Sequence, residues 1–307
     1  MTKFRRSWAL LQCSLRVVRE NRALLLFPII VFLLTCVIAL FFLVPLAFWN
    51  TGHAFTEAAH WKALASHVAT WSEKPGDVHV NPLGYGLLAA IYLASLFMAT
   101  FFNVAFFNEI LHALNGQPVS VRGGLRFAVT RLRAIIAWSL LTGVVGLAIK
   151  ALEERVGWVG RWIVRLIGMA WSVAAVFAIP VIVREEKHAN PVLFLKTSAG
   201  VLKKTWGESL VGFVGFQFAN WLILAGSVLL FALGAALSAA LHNIWVLVAA
   251  AGVWFLGLVL FMLVLHVARQ VYRGALYIYA TEGAAPGPFE PDQMNLAWKV
   301  KSGRKPR

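Results

Sequence analysis

Six long apolar stretches, each able to cross a bilayer, run through this 307-residue chain, and its positive charges are sorted into alternate connections between them. A transmembrane helix needs about 20 mainly apolar residues, and the stretches at 23–48, 83–107, 134–152, 164–183, 210–237 and 244–265 meet that length. The N-terminal segment carries 6 Lys and Arg, the second connection 4, the fourth 5 and the C-terminal segment 7, against 6 on the opposite side. With the acids included, the net charge divides +14 against +1. Connections rich in Lys and Arg stay in the cytoplasm, so both termini are expected there. The first stretch is too long for the core of a cleavable signal peptide, which predicts an uncleaved anchor and a plasma (inner) membrane location.

A composition of 60% hydrophobic and 13% charged residues lies outside the range of soluble domains. The net charge of +15 invites a nucleic-acid reading. No basic stretch forms a separate domain that could grip a duplex, so nucleic acid is not expected as a partner. Anionic lipid headgroups beside the spans are the nearer partner. Cys13 and Cys36 fall on the cytoplasmic side and inside a span, out of reach of an oxidising compartment, and read as small buried hydrophobes. Pro28 opens the first span at no hydrogen-bonding cost, whereas Pro45 and Pro180 sit near span ends and should bend them. Gly143 with Gly146 supplies small residues for close helix approach. Trp49, Trp61, Trp71, Trp158 and Trp245 fall at the predicted outer interface, where amphipathic indoles anchor.

A loose threefold pattern precedes spans one, three and five. Leu11, Leu125 and Leu195 align, with Val18, Leu132 and Leu202 seven residues later and Arg19, Arg133 and Lys203 immediately after. The apolar stripes read Trp8, Leu11, Leu15, Val18, then Leu125, Val129, Leu132, Ile136, then Leu195, Ala199, Leu202, Trp206, at helical spacing. Such segments suit an interfacial helix with its apolar face in the acyl boundary and its cationic face toward phosphate. The expected fold is therefore all-α and membrane-integral: six transmembrane helices arranged as three repeats of amphipathic surface helix plus transmembrane hairpin. The units fall at about 1–117, 118–190 and 191–285, within a membrane domain 1–285 followed by a basic mobile tail, 286–307. Gly123-Gly124 reads as flexible punctuation before the second surface helix.

The chain resembles an uncharacterised family of bacterial multipass membrane proteins, a domain of unknown function. The resemblance rests on Arg6-Ser7-Trp8 with Leu24-Leu25-Leu26-Phe27-Pro28, on Leu152-Glu153-Glu154-Arg155, on Lys203-Lys204-Thr205-Trp206-Gly207-Glu208, and on Ala275-Leu276-Tyr277 with Tyr279-Ala280-Thr281-Glu282-Gly283. It supports the topology and carries no activity. A looser analogy to mitochondrial carriers, also three hairpins with surface helices, fails because their Pro-x-Asp/Glu-x-x-Lys/Arg signature is absent.

Candidate residues follow from this frame. Arg16, Arg19, Arg122, Arg126, Arg133, Lys196, Lys203 and Lys204 would engage anionic headgroups at the cytoplasmic leaflet. Gln217 and Asn220, with Asn103, are polar residues at membrane depth that either line a solute path or act as interhelical glue, the commoner role. Glu153, Glu154, Arg161 and Arg165 form an outer ion-pair cluster, or snorkel beside Trp158 and Trp162. His53, Glu57, His60 and His67 would share a helix face, but their spacing matches no established zinc pattern, so neither a metal nor another cofactor is expected. Nucleophile elbows, zinc helices and phosphate-binding loops are absent. The leading expectation is a non-enzymatic lipid-engaging membrane protein. A transporter or channel with a path between the repeats is the alternative. A lipid-modifying enzyme built on Glu109 and His112 is the third reading.

Overall fold

The computed structural model describes residues 3–71, 78–185 and 189–290, and the side chains of these except 3–7, 68–71, 78–80, 205–220 and 222. Ten helices and a short ribbon follow in order among the described residues: α1 (Lys3–Glu20), α2 (Leu26–Ala47), α3 (Ala58–Val68), β1 (Ala69–Trp71), β2 (Val78–Val80), α4 (Pro82–Leu114), α5 (Val121–Thr130), α6 (Leu132–Arg155), α7 (Trp158–Ala174), α8 (Ala178–Arg184), α9 (Pro191–Leu241) and α10 (Ile244–Glu282). A one-turn 3-10 segment, Arg22–Leu25, leads from α1 into α2. The antiparallel ribbon pairs Ala69 with Val80 and is the one strand pairing among the described residues. Six segments among the described residues are long and apolar enough to span: Arg22–Ala47, Pro82–Leu114, Leu132–Arg155, Trp158–Arg184, Ile223–Leu241 and Ile244–Glu282. Their exposed faces are apolar, with Phe32, Phe41, Leu229, Val253 and Leu256 all open. In water that surface would be costly, and in hydrocarbon it is the expected state. This is a multi-pass membrane protein.

The core sits at one end. Apart from Gly84, the buried residues of α4 begin at Thr100, and those of α10 begin at Leu265. At 1.5 Å per residue, the segments before those points are about 27 and 32 Å long, close to the roughly 30 Å hydrocarbon thickness. Beyond them, α4 and α10 run on into a protein-packed cap with α1, α5, α8 and the start of α9. Residues near both ends of the chain meet there, since Cys13 Sγ lies 3.5 Å from Pro288 O.

The cap corrects three expectations. Leu11 and Val18 of α1, with Leu10 and Val17, are buried against protein rather than turned to acyl chains. An apolar stripe reads the same whether its neighbour is lipid or helix, and here α9 and α10 supply the neighbour. The third surface segment is not a separate helix, because α9 runs unbroken from Pro191 to Leu241. No proline or turn interrupts it. The expected tail also starts late, since Pro286 and Phe289 are buried and the chain is packed through 289. The remainder of the predicted tail, 291–307, lies outside the described residues.

The expected bend at Pro180 is a break. Proline offers no N–H to the carbonyl four residues back, and its ring crowds that turn. The helix therefore stops at Ala174, and α8 restarts at Ala178. Across the gap, Val176 N–H turns to Val173 O and Ala178 N–H to Ala175 O. Ser198 of α9 completes the repair, accepting from Phe177 N–H at 2.9 Å and donating to Ala174 O. Backbone polar groups opened within a membrane protein need a partner of this kind.

Candidate functional site

The eight basic residues predicted for lipid engagement are all exposed. Arg16 and Arg19 lie on α1, Arg122 and Arg126 on α5, Arg133 at the start of α6, and Lys196, Lys203 and Lys204 on α9. Each belongs to an element that contributes residues to the cap core, although Val129 and Ile136 of the second stripe stay exposed. The α5 helix is fixed at its N-terminus. Ser120 caps it by accepting from Gly123 N–H. Glu109 of α4, 1% exposed, accepts from Ser120 N–H at 2.7 Å and from Asn108 Nδ2 at 3.0 Å. A carboxylate at the start of a helix is favoured by the orphan amides and dipole there.

Gly123 and Gly124 are consequently not punctuation. A Cβ on Gly124 would stand 2.7 Å from Ala105 O and 2.9 Å from Glu109 Cγ, so α5 approaches α4 at backbone distance. The pair Glu109 and His112, the basis of the enzymatic reading, is joined at 3.6 Å (Nδ1 to Oε1), with both carboxylate oxygens already bonded to the α5 entrance and Asn108. That arrangement positions a helix.

Three of the spaces among the described residues bear on these candidates. A cavity of about 490 Å³ between α7 and α9 is walled by Ala170, Val173, Ala174, Ala199 and Leu202, with Lys203 the charged group among them. A second, of about 440 Å³, lies among α2, α4 and α10, and there Asn103 and His266 are the polar groups of a wall that is otherwise apolar, including Phe32, Phe102 and Val259. The side chains of Gln217 and Asn220 lie outside the described residues, so the expected trio is placed only at Asn103. The third space, about 330 Å³ and mostly polar, is lined by Arg131 and Arg184. Arg131 was absent from the residues expected to matter. Its signal was Phe127 four residues earlier, over whose ring the guanidinium sits at 5.2 Å, off the face shared by Arg122, Arg126 and Arg133.

At the other end of the spans, Arg165 Nε meets Glu153 Oε1 at 3.0 Å and lies over Trp162, whereas Glu154 and Arg161 are exposed. His60, 4% exposed, is a staple: Nε2 lies 2.8 Å from Ala47 O and Nδ1 2.7 Å from Thr51 Oγ1. Because a carbonyl only accepts, Nε2 carries a proton, and the Thr51 hydroxyl, which can donate or accept, partners Nδ1. Both ring nitrogens are thus used within the protein, and His53 instead faces Glu57 at 3.7 Å. No group of three or more potential metal ligands occurs among the described residues.

A family of unknown function (DUF6159) matches residues 82–287. The chain belongs to that family. The match takes in the 152–155, 203–208 and 275–283 motifs and begins after the Arg6–Trp8 and Leu24–Pro28 motifs. No curated protein and no solved structure matches the chain.

Proposed function

We propose that this DUF6159 member is a non-enzymatic protein of the plasma (inner) membrane, with both termini cytoplasmic, whose basic end engages anionic lipid headgroups. The observation that carries the reading is the exposure of all eight predicted bases on elements packed into one cap. Near an anionic surface each Lys or Arg contributes about 1 kcal/mol. The apolar cavity beside Lys203 adds a place where an acyl chain can lie with its phosphate near an ammonium. In this reading the three basic segments are variations on one unit, a threefold repeat whose first copy docks on the third through α1 against α9 and α10.

The full-length protein reconstituted with fluorescent phosphatidylglycerol in a phosphatidylcholine background tests this. Enrichment of the anionic lipid around the protein should fall between 0.1 and 1 M salt as the screening length drops from about 10 to 3 Å. It should also fall stepwise as Arg16, Arg19, Lys203 and Lys204 become glutamine. Enrichment that ignores both salt and substitution refutes the proposal. A transport reading draws support from one observation, the Asn103–His266 cavity. Cysteine at 103 that reacts with a membrane-impermeant thiol reagent would favour it.

A further inference from the structure

The third cavity suits a ligand of its own, apart from the exposed basic faces. It lies where the end of α4, the turn after it, the α5–α6 junction and the end of α8 converge. Two guanidiniums, Arg131 and Arg184, and three carboxamides, Asn108, Asn115 and Gln117, share its wall with His112. Arg131 is oriented from two sides, donating to Val183 O at 3.4 Å and lying over Phe127. Arg184 is held by Glu282 at 2.7 Å. Two of the carboxylates nearby are already engaged, Glu282 by Arg184, and Glu109 by Asn108 and Ser120 N–H behind the wall. Guanidiniums held in fixed planes match phosphate oxygens in a way that a flexible ammonium does not. Carboxamides add neutral donors, and a volume of about 330 Å³ admits a phosphate with a small polar substituent.

We propose that this pocket is a saturable site for one phosphate-bearing group of headgroup size, held between Arg131 and Arg184 with Asn115 and Gln117 at the rim. The site goes beyond collective attraction to an anionic surface, because it is single, stoichiometric and built from residues other than the eight exposed bases. A phosphate group can reach it from a lipid or from solution, and the chemistry recognised is the same.

Native mass spectrometry of the full-length protein in mild detergent separates these cases, using dihexanoyl phosphatidylglycerol, sn-glycerol 3-phosphate and inorganic phosphate as probes. One tightly retained lipid, displaced by neither soluble probe at tenfold excess, assigns the site to a headgroup. Displacement by glycerol phosphate assigns it to a soluble phosphoester. Arg131→Gln and the exposed-rim variant Gln117→Glu should each weaken binding about tenfold or more, the loss of a charge-assisted contact or the gain of a repulsive one. Arg131→Lys should recover part of it. A combined Arg16→Gln, Arg19→Gln, Lys196→Gln variant should retain the single lipid while losing bulk anionic enrichment, which distinguishes failure of this site from failure of the surface reading. Retention unchanged in both Arg131→Gln and Gln117→Glu, in protein whose melting matches wild type, overturns the proposal. So does the absence of any retained phosphate-bearing probe.

Discussion

Replacing Ser198 with alanine isolates the energetic cost of the broken fourth span. The hydroxyl is fully buried and bonds two backbone groups that the break at Pro180 leaves without helical partners. Its removal strands Phe177 N–H and Ala174 C=O away from water. A buried, unsatisfied polar group costs about 1–3 kcal/mol. With partial relaxation of the gap, Ser198→Ala should destabilise the protein by about 2–4 kcal/mol, roughly 30- to 1,000-fold in the folded-to-unfolded ratio. Ser198→Thr, which keeps the oxygen, should lose less. The measurement is SDS-induced unfolding in mixed micelles followed by circular dichroism, with Pro180→Ala as the second arm of a double-mutant cycle. Residue 180 then has an N–H for Val176 O, the gap can close into regular helix, and the demand on Ser198 shrinks. A coupling of about 0.5–3 kcal/mol is therefore expected. A Ser198→Ala cost below about 0.5 kcal/mol, or strict additivity with Pro180→Ala, refutes the view that this hydroxyl repairs the break.

Glu109→Gln should cost about 1–2 kcal/mol in the same assay, the difference between charge-assisted and neutral hydrogen bonds to Ser120 N–H and Asn108. Gly124→Ala should cost about 1–3 kcal/mol by forcing α5 off the Ala105 backbone, whereas alanine at Gly200, inside α9 with open space around it, should stabilise by about 0.5–1 kcal/mol. Burial pushes the Cys13 thiol above the ordinary range, with Glu290 adding to the effect and Arg16 opposing it. The neutral form is thus favoured by folding, and that contribution persists below the ordinary thiol pKa and disappears as pH rises past the elevated one. Iodoacetamide labelling of Cys13 should accordingly show a pH midpoint higher in the folded protein than in SDS, and equal midpoints would contradict it.

The spans were legible because about 20 consecutive apolar residues have few alternatives to a membrane helix. Pro180 was legible for the same kind of reason, since a missing N–H has one local consequence. The partners were not. An amphipathic stripe such as Leu11 and Val18 specifies that one face leaves water, without saying whether lipid or α9 and α10 receives it. Ser198 carries no motif, and its role exists only because α9 crosses the gap at Phe177. Glu109 looked like half of an acid–base pair because one-turn spacing brings His112 beside it. The Ser120 amide that occupies it comes from eleven residues away. Arg131 counted as one of several charges in a basic connection, and only the third dimension placed it with Arg184 around one space.

The packed cap also changes where the positive charge can act. If the basic segments lay flat with their apolar stripes in acyl chains, their cations would spread at headgroup depth over an area larger than the bundle. The α1 stripe is instead largely taken up by protein, and parts of the other two join the same core, so the cations are carried on elements packed into the cap just beyond the spans. Arg269 and Arg273 follow within about two turns of Leu265, where burial in α10 begins, and that is headgroup depth if hydrocarbon ends there. At the opposite end, Trp158 and Trp245 stand exposed at the first turns of α7 and α10, where an aromatic belt is expected. These two markers bound a slab of membrane thickness between them, and the exposed bases of α1, α5 and α9 belong to its capped side. Under the proposed lipid engagement, headgroups meet cations carried on packed elements around the cap rather than on separate surface helices, an arrangement that favours defined sites over diffuse attraction.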